Sequence, residues 1–216
     1  MIEHVIPAIN IAEPKEHIAD FRHLAKGGGW QKLSPAIKMR FDAMAEGKYT
    51  HNYAGNMIVR RSKLGLLFSY ICKLFGSPLV ADQAESAKVD VSVFQKGEGI
   101  CWQRVFHFNN KAPITVSSLK VVDSKYGLME RVGSGLNMIL EVYEEDGNLH
   151  FVSNKYCIKI GSFYMRLPSI LTPGRLHVAH IDEGNGAFRF RMSFDHKYFG
   201  QTFFQDGVFM SKGGQQ

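Results

Sequence analysis

The chain of 216 residues contains few cysteines, and their spacing excludes the sites that cysteines usually build. Its three cysteines, Cys72, Cys101 and Cys157, lie far apart, without a CxxC pair or a Cys/His ligand spacing. A structural zinc site is therefore not expected, and three unpaired thiols suit a reducing compartment. No basic segment followed by an apolar core stands at the N-terminus, so we predict a cytoplasmic protein without a signal peptide.

Common catalytic signatures are missing as well. The sequence has no G-x-S-x-G elbow, no H-E-x-x-H, no Walker A loop and no G-x-G-x-x-G after a strand. The glycines at 133–135 join two predicted strands, which is typical of a turn and not of a phosphate loop. His177 and His180 are three residues apart, a spacing that places them on opposite faces of a strand. We therefore expect no metal and no cofactor, and catalytic residues stay unknown.

Long runs of one charge or of apolar residues are also lacking. The net charge of +6 is dispersed along the chain, which argues against a nucleic-acid partner. The most apolar segment, residues 64–75, is well short of the roughly 20 residues that a transmembrane helix needs. We predict a buried helix there. The alternative is a helix that covers a cavity or touches a membrane surface.

Strand patterns dominate the chain from residue 88 to 210. In the segment 188–194, apolar and polar residues alternate without interruption, which predicts a strand with one face toward the core and one face toward solvent. Turn sequences such as Asp146-Gly147 separate such segments and favour tight hairpins. The predicted strands lie near residues 89–94, 100–108, 115–123, 127–132, 136–144, 149–160, 176–183, 187–195 and 201–210.

The predicted architecture is an α+β domain that is mainly β. We expect an antiparallel β-barrel, or a strongly curved half-barrel, of about nine or ten strands with two N-terminal helices. The first helix is expected to begin with Ser34 as its N-cap and Pro35 at its first helical position, and to end at residue 47. We expect residues 1–26 to form an N-terminal arm before a single domain at 27–216. Two prolines in the segment 161–174 interrupt strand pairing, so we predict a long loop or a short helical crossover there. A helix-grip fold is the alternative, but it needs a long C-terminal helix that the sequence does not predict.

A candidate ligand site is predicted on the strand at 100–108. Alternation places Trp102, Arg104, Phe106 and Phe108 on one face, and an arginine on an apolar face must be paired or open to a cavity. Glu130 is a candidate partner. The pattern is compatible with a structural ion pair, or with an arginine that binds the carboxylate or phosphate of a ligand at the floor of a pocket.

Further candidate binding residues lie in the irregular segment, where loops on a rigid β scaffold often carry binding groups. They are Tyr164, Arg166 and Pro168. The chain also has sixteen Phe and eight Tyr, which suit strands and are compatible with an apolar cavity.

Several short motifs follow one another in a distinctive order along the chain. They are Trp30-x-x-Leu33-x-Pro35, Trp102-x-Arg104-x-Phe106, Glu130, Leu167-Pro168-x-x-Leu171-x-Pro173, the strand 188–194 and Tyr198-x-Gly200. This order resembles a bacterial family known as a domain of unknown function, DUF4166, over roughly residues 30–210. The resemblance implies no activity, so no catalytic residue is carried over, although some members of the family follow a saccharopine-dehydrogenase-like domain.

Three functions are compatible with these features. The first is a binding module that holds a lipophilic small molecule, acyl or isoprenoid-like, inside the barrel. The second is an enzyme, or an accessory domain of an oxidoreductase, that acts on a lipid-like substrate together with a separate dehydrogenase-like partner. The third is a protein-interaction domain that uses a sheet edge or the apolar helix.

Overall fold

A computed structural model of the protein describes residues 21–45, 50–76, 79–161 and 163–213. It contains two α-helices and eleven β-strands, with short 3₁₀ turns at Phe21–His23, Lys26–Lys32 and Ser169–Leu171. The helices are α1 (Pro35–Ala45) and α2 (Lys63–Lys73). The strands are β1 (His51–Arg61), β2 (Ala84–Lys96), β3 (Gly99–His107), β4 (Ile114–Asp123), β5 (Gly127–Val132), β6 (Leu136–Glu145), β7 (Asn148–Ile160), β8 (Phe163–Arg166), β9 (Arg175–Gly184), β10 (Ala187–His196) and β11 (Gly200–Ser211).

Ten of the strands form a closed antiparallel barrel. Neighbours in sequence are neighbours in space, except that β9 follows β7 around the barrel and β8 pairs only with the end of β7. Pairing of β1 with β11, and of β6 with β7, completes the ring. The prediction of a mainly β protein with a barrel of about ten strands and two N-terminal helices is confirmed.

The two helices lie at opposite ends of the barrel. The backbone N–H of Ser34, just before α1, donates to the carbonyl of Gly147 in the β6–β7 turn. We call this the α1 end. The helix α2 directly follows β1, so it begins at the other end, the α2 end, together with the β5–β6 turn, the β10–β11 turn and the segment between β7 and β9. Because consecutive strands run up and down, alternate turns share an end.

The helix α1 closes its end with two apolar side chains. Ile37 and Phe41 are fully buried, and the ring of Phe41 lies 6.1 Å from that of Trp102. The hydroxyl of Ser34 accepts from the N–H of Ile37, so the predicted cap is present. The predicted end at residue 47 and the arm 1–20 lie outside the described residues. Ala25 and Lys26 contact the barrel: Ala25 is buried and bridges to Val142, and Lys26 pairs with Glu141.

The segment 161–174 differs from the expectation of a long loop or a helical crossover. It contains the four-residue strand β8 and a single 3₁₀ turn at Ser169–Leu171. The prolines lie outside β8, so the strand can pair with β7, and Pro168 precedes the 3₁₀ turn. The alternation pattern is too short over four residues to reveal such a strand.

Candidate functional site

The barrel encloses a cavity of about 440 Å³. This volume lies within the range of about 300–1,000 Å³ that is usual for small-molecule sites. Inward-facing side chains of most strands line it, and α2 and the segment 167–173 cover it at the α2 end. The apolar lining includes Met57, Phe68, Val91, Trp102, Met138, Val178, Phe188, Phe190, Met192, Phe194 and Phe209.

Charged side chains occupy one part of this apolar wall. Lys120 and Glu130 are register partners on β4 and β5, so their side chains share the inner face. The Nζ of Lys120 lies 3.1 Å from Oε1 of Glu130, and both side chains are buried. Ser118, Arg104 and His180 line the same cavity. Five polar residues from four strands thus meet inside an otherwise apolar barrel.

Arg104 lies on the inner face of β3, where the sequence alternation places it. It does not form the predicted ion pair with Glu130. Glu130 pairs with Lys120 instead, at 3.1 Å. The guanidinium of Arg104 lies 5.8 Å from the ring centroid of Phe190. Its Nε is buried and has no hydrogen-bond partner among the described residues, and the same holds for Nε1 of Trp102. Two N–H donors are therefore buried without an acceptor among the described residues, on two side chains that line the cavity.

Burial and neighbouring charges set the protonation of the cluster. Burial by itself raises the pKa of Glu130, but Lys120, with Ser118 and Arg104, outweighs it and holds that pKa below its ordinary value. Burial lowers the pKa of Lys120, and Glu130 partly offsets this effect. Glu130 is thus ionised near neutral pH. With Arg104 always protonated and Lys120 paired, the cluster carries an excess positive charge.

His180 lies among aromatic rings on the inner face of β9. It is 1% exposed, and burial, followed by the charges of Arg40 and Lys120, lowers its pKa well below the ordinary value. Its ring centroid is 5.1 Å from that of Phe41 and 5.2 Å from that of Trp102. The imidazole is therefore neutral, and its Nδ1 has no partner among the described residues.

The other candidate residues from the sequence lie apart from this cluster. Phe106 is fully buried and stacks on Phe108, with 6.0 Å between the ring centroids. Tyr164 and Arg166 line a second, smaller cavity of about 230 Å³, and the ring of Tyr164 contacts that of Tyr126 at 5.3 Å. Pro168 is exposed. The structure thus brings Trp102, Arg104 and Glu130 together, and it adds Lys120, Ser118 and His180, which the sequence analysis did not predict as ligand-binding residues.

The cavity opens between α2 and the 3₁₀ turn. Leu67 and Ile71 on α2, and Ile170 and Leu171 on the turn, line the cavity and are also exposed at its surface. A side chain can meet both conditions only where the cavity reaches solvent. These four residues therefore mark its entrance.

Close backbone contacts fix both ends of α2 across this entrance. A Cβ at Gly65 would lie 2.1 Å from the carbonyl oxygen of Thr202 on β11, so only glycine allows this approach. At the other end, the carbonyl of Phe75 accepts from the N–H of Ser134, and Gly133 in the β5–β6 turn adopts a positive φ against it. The helix therefore spans the entrance from β11 to the β5–β6 turn.

Comparison with known proteins gives one family and no characterised relative. The family model described as "Domain of unknown function (DUF4166)" matches residues 33–209, a range that includes both helices and nearly the whole barrel. No curated protein and no solved structure matches the chain. Within the described residues, no helix is long and apolar enough to cross a membrane, and no group of three or more His, Cys, Asp and Glu could hold a metal ion.

Proposed function

The chain belongs to the family of domains of unknown function DUF4166, and we propose that it is a binding module that holds a lipophilic small molecule inside its β-barrel. The single observation that carries this proposal is the apolar cavity of about 440 Å³, which is enclosed by the barrel wall and spanned by α2 at its entrance. A fully packed barrel would have no room for a ligand. Apolar cavities with a few convergent polar groups are the usual form of small-molecule sites.

The polar cluster supports a ligand with an anionic head group. Arg104 and Lys120 outnumber Glu130, so the wall has an excess positive charge in an apolar setting, where an unbalanced charge is costly. Arg104 lines the cavity, and a guanidinium can donate to a carboxylate. An acyl or isoprenoid-like acid would place its chain against the apolar wall and its carboxylate at this cluster.

Two measurements test the proposal. Native mass spectrometry of protein purified from cells should show a bound molecule. Titration with anilinonaphthalene sulfonate, followed by displacement with a fatty acid, should show saturable binding at one site. If no molecule co-purifies and the probe does not bind saturably, the binding function is wrong.

Exchange of Arg104 tests the head-group contact. In Arg104→Met the affinity for a fatty acid should fall about 10–100-fold, because a hydrogen bond to a charged group contributes about 1.5–3 kcal/mol. Affinity for the fatty alcohol of equal length should change little. Arg191→Met, on the exposed outer face of β10, is the matched control and should bind both molecules as the parent does.

The convergence of the polar groups favours an enzyme as the second candidate. Lys120, Glu130 and His180 line one cavity, and each has a pKa moved by burial or by charged neighbours, as acid–base groups in active sites often do. Incubation of the protein with its co-purified molecule would then change the mass of that molecule. The change should disappear in Lys120→Met. An unchanged mass would leave binding as the function.

A further inference from the structure

Large apolar side chains are exposed mainly at one end of the barrel. Leu74, the C-cap of α2, is 81% exposed and Phe163 on β8 is 78% exposed, and both lie at the α2 end of the barrel. Monomeric proteins seldom expose contiguous apolar patches of this kind without an interaction to make. The exposed apolar residues of the α2 end, here called the apolar rim, are Leu67, Tyr70, Ile71, Leu74, Ile160, Phe163, Met165, Ile170, Leu171, Tyr198 and Phe199.

Pairing geometry connects part of the rim to the cavity wall. Met165 is the register partner of Ile158, and Phe163 is that of Ile160, so all four side chains share one face of the β7–β8 hairpin. Ile158 lines the cavity. The inner face of this hairpin therefore continues the apolar wall of the cavity past the barrel and into the rim.

On α2, a stripe of apolar side chains continues the rim along the entrance. Leu67, Ile71 and Leu74 follow one another at spacings of four and three, which places them on one side of the helix. Leu67 and Ile71 line the entrance, and Leu74 faces solvent at the last turn of the helix. The helix thus has a buried side toward the barrel and an exposed apolar side.

Basic residues without acidic neighbours in sequence accompany the rim. The segments 62–76, 154–175 and 196–205, which form α2, the β7–β9 connection and the β10–β11 turn, contain no Asp and no Glu. The acidic groups closest to them in sequence are Asp195 and Asp206, which flank the third segment, and Asp82, which pairs with Lys111. Asp206 pairs with Arg189 and Arg191 on β10. The exposed basic residues in these three segments are Lys63, Lys73, Lys155, Lys159, Arg166, Arg175 and Lys197.

Three of these lysines lie on tyrosine rings. Their Nζ atoms are 4.9 Å (Lys73 on Tyr70), 5.9 Å (Lys159 on Tyr164) and 5.4 Å (Lys197 on Tyr198) from the ring centroids. Lysine and tyrosine both have an apolar body and a polar tip, and both are favoured at the boundary between lipid and water. Apolar side chains flanked by such groups are the composition of a surface that binds lipid membranes from one side.

We propose that the α2 end of the barrel docks on the surface of an anionic lipid bilayer. The apolar rim would enter the boundary layer of the bilayer, and the basic residues would lie at the level of acidic head groups. A second copy of the chain fits this surface less well, because a two-fold contact would bring the same basic residues together. The cavity entrance would then face the lipid, and an apolar molecule could pass between membrane and barrel without crossing water.

Vesicle co-sedimentation of the full chain tests this inference without any cavity ligand. The protein should bind vesicles that contain phosphatidylserine in phosphatidylcholine, bind pure phosphatidylcholine vesicles much more weakly, and be released by high salt, which screens charges. The double variant Lys73→Glu/Lys159→Glu should lose at least about tenfold in affinity, since each basic residue near an anionic surface contributes about fivefold. Leu74→Ser, which removes an exposed rim residue, should also weaken binding.

Two control variants at the α1 end separate this surface from general effects of charge or hydrophobicity. Lys96→Glu in the β2–β3 turn and Met39→Ser on α1 change an exposed basic and an exposed apolar residue there, and both should bind vesicles as the parent does. Equal binding of all variants, or no binding to phosphatidylserine vesicles, would overturn the inference. A dimer that Leu74→Ser converts to a monomer, without vesicle binding, would assign the rim to a second copy. A failed vesicle assay with intact fluorophore binding in the cavity would leave the proposed function in place.

Discussion

Lys120 and Glu130 form an ion pair inside the barrel, with Nζ of Lys120 3.1 Å from Oε1 of Glu130. Adjacent positions on β4 and β5 fix this contact, because the two residues are register partners on the inner face. A buried ion pair contributes little net stability, but it is costly to break by removing one partner. We therefore expect substitution of one partner alone to be much more destabilising than substitution of both partners by apolar residues.

Replacement of one partner should destabilise the fold strongly. We expect Glu130→Gln to lower the free energy of unfolding by about 3–5 kcal/mol, since Lys120 would lose its ion-pair partner in an apolar wall. Urea unfolding followed by tryptophan fluorescence measures this change. The double variant Lys120→Met/Glu130→Leu, which removes both charges, should recover most of the loss. A double variant that is less stable than Glu130→Gln would show that the pair has a different role.

Acid should destabilise the protein partly through His180. Its pKa in the folded state is far below the ordinary 6.5, so the unfolded chain binds a proton that the folded protein does not. The neutral His180 therefore contributes to the free energy of unfolding. This contribution is fully present above pH 6.5, and it falls by about 1.4 kcal/mol for each pH unit below 6.5.

The variant His180→Phe isolates that contribution, because a phenyl ring suits the aromatic surroundings and does not titrate. His150 and His177 also have lowered pKa values, so the parent protein carries further acid sensitivity. Denaturant unfolding of the two proteins between pH 5 and 7 should show a smaller slope for the variant. Identical slopes would mean that folding does not lower the pKa of His180.

The thiol of Cys72 should react slowly with alkylating reagents. Burial raises its pKa to about 11, and it lies on the inner side of α2, where it lines the cavity. We expect alkylation by iodoacetamide in mildly alkaline buffer to be at least about a hundredfold slower than in the denatured chain, because the thiolate is the reactive form. Peptide mass spectrometry resolves the three cysteines. Rapid labelling of Cys72 in the folded protein would show that α2 is open in solution.

Substitution of Gly65 should loosen α2 from the barrel. A Cβ at this position would lie 2.1 Å from the carbonyl oxygen of Thr202, so Gly65→Ala must move the helix away from β11. Such overpacking costs about 1–3 kcal/mol, which corresponds to about 5–100-fold faster ligand exchange if α2 controls the entrance. Stopped-flow displacement of anilinonaphthalene sulfonate measures the rate. Lys63→Ala, at an exposed position in the same turn of the helix, is the control and should exchange at the parent rate.

The strands of the barrel could be predicted because their two faces differ in the sequence. The segment 188–194 alternates cleanly, and the observed strand β10 has the same alternation of burial. The short strand β8 was missed because four residues carry too little pattern. The cap at Ser34 was predictable from local chemistry, since the cap forms within three residues of the chain.

The role of Lys120 could not be predicted, because the polar and apolar residues around it lie on the unexpected faces of β4. Ser118 and Lys120 line the cavity, whereas Leu119 and Val121 lie on the outer face. Val121 on the outer face is buried with Met129 and Cys157, under the rings of Tyr126 and Tyr164. Half-buried strands usually place apolar residues toward the core and polar residues toward solvent. Around Lys120 this arrangement is reversed, so the sequence pattern predicts the wrong face for its side chain. His180 was missed for a related reason: its surroundings consist of aromatic rings from distant segments, such as Phe41 and Trp102.

Closure of the barrel removes the strand edges through which other chains could pair with this protein. Unpaired strand edges recruit other chains and seed fibres, and closure of the ten strands leaves none in the ring. Among the described residues, the free edge belongs to β8, which is four residues long and ends in Arg166. A strand this short is a poor template for growth. Closure of the barrel therefore confines any association of exposed apolar surface to the side chains of the apolar rim, because almost no backbone of the described strands is left to pair with another chain.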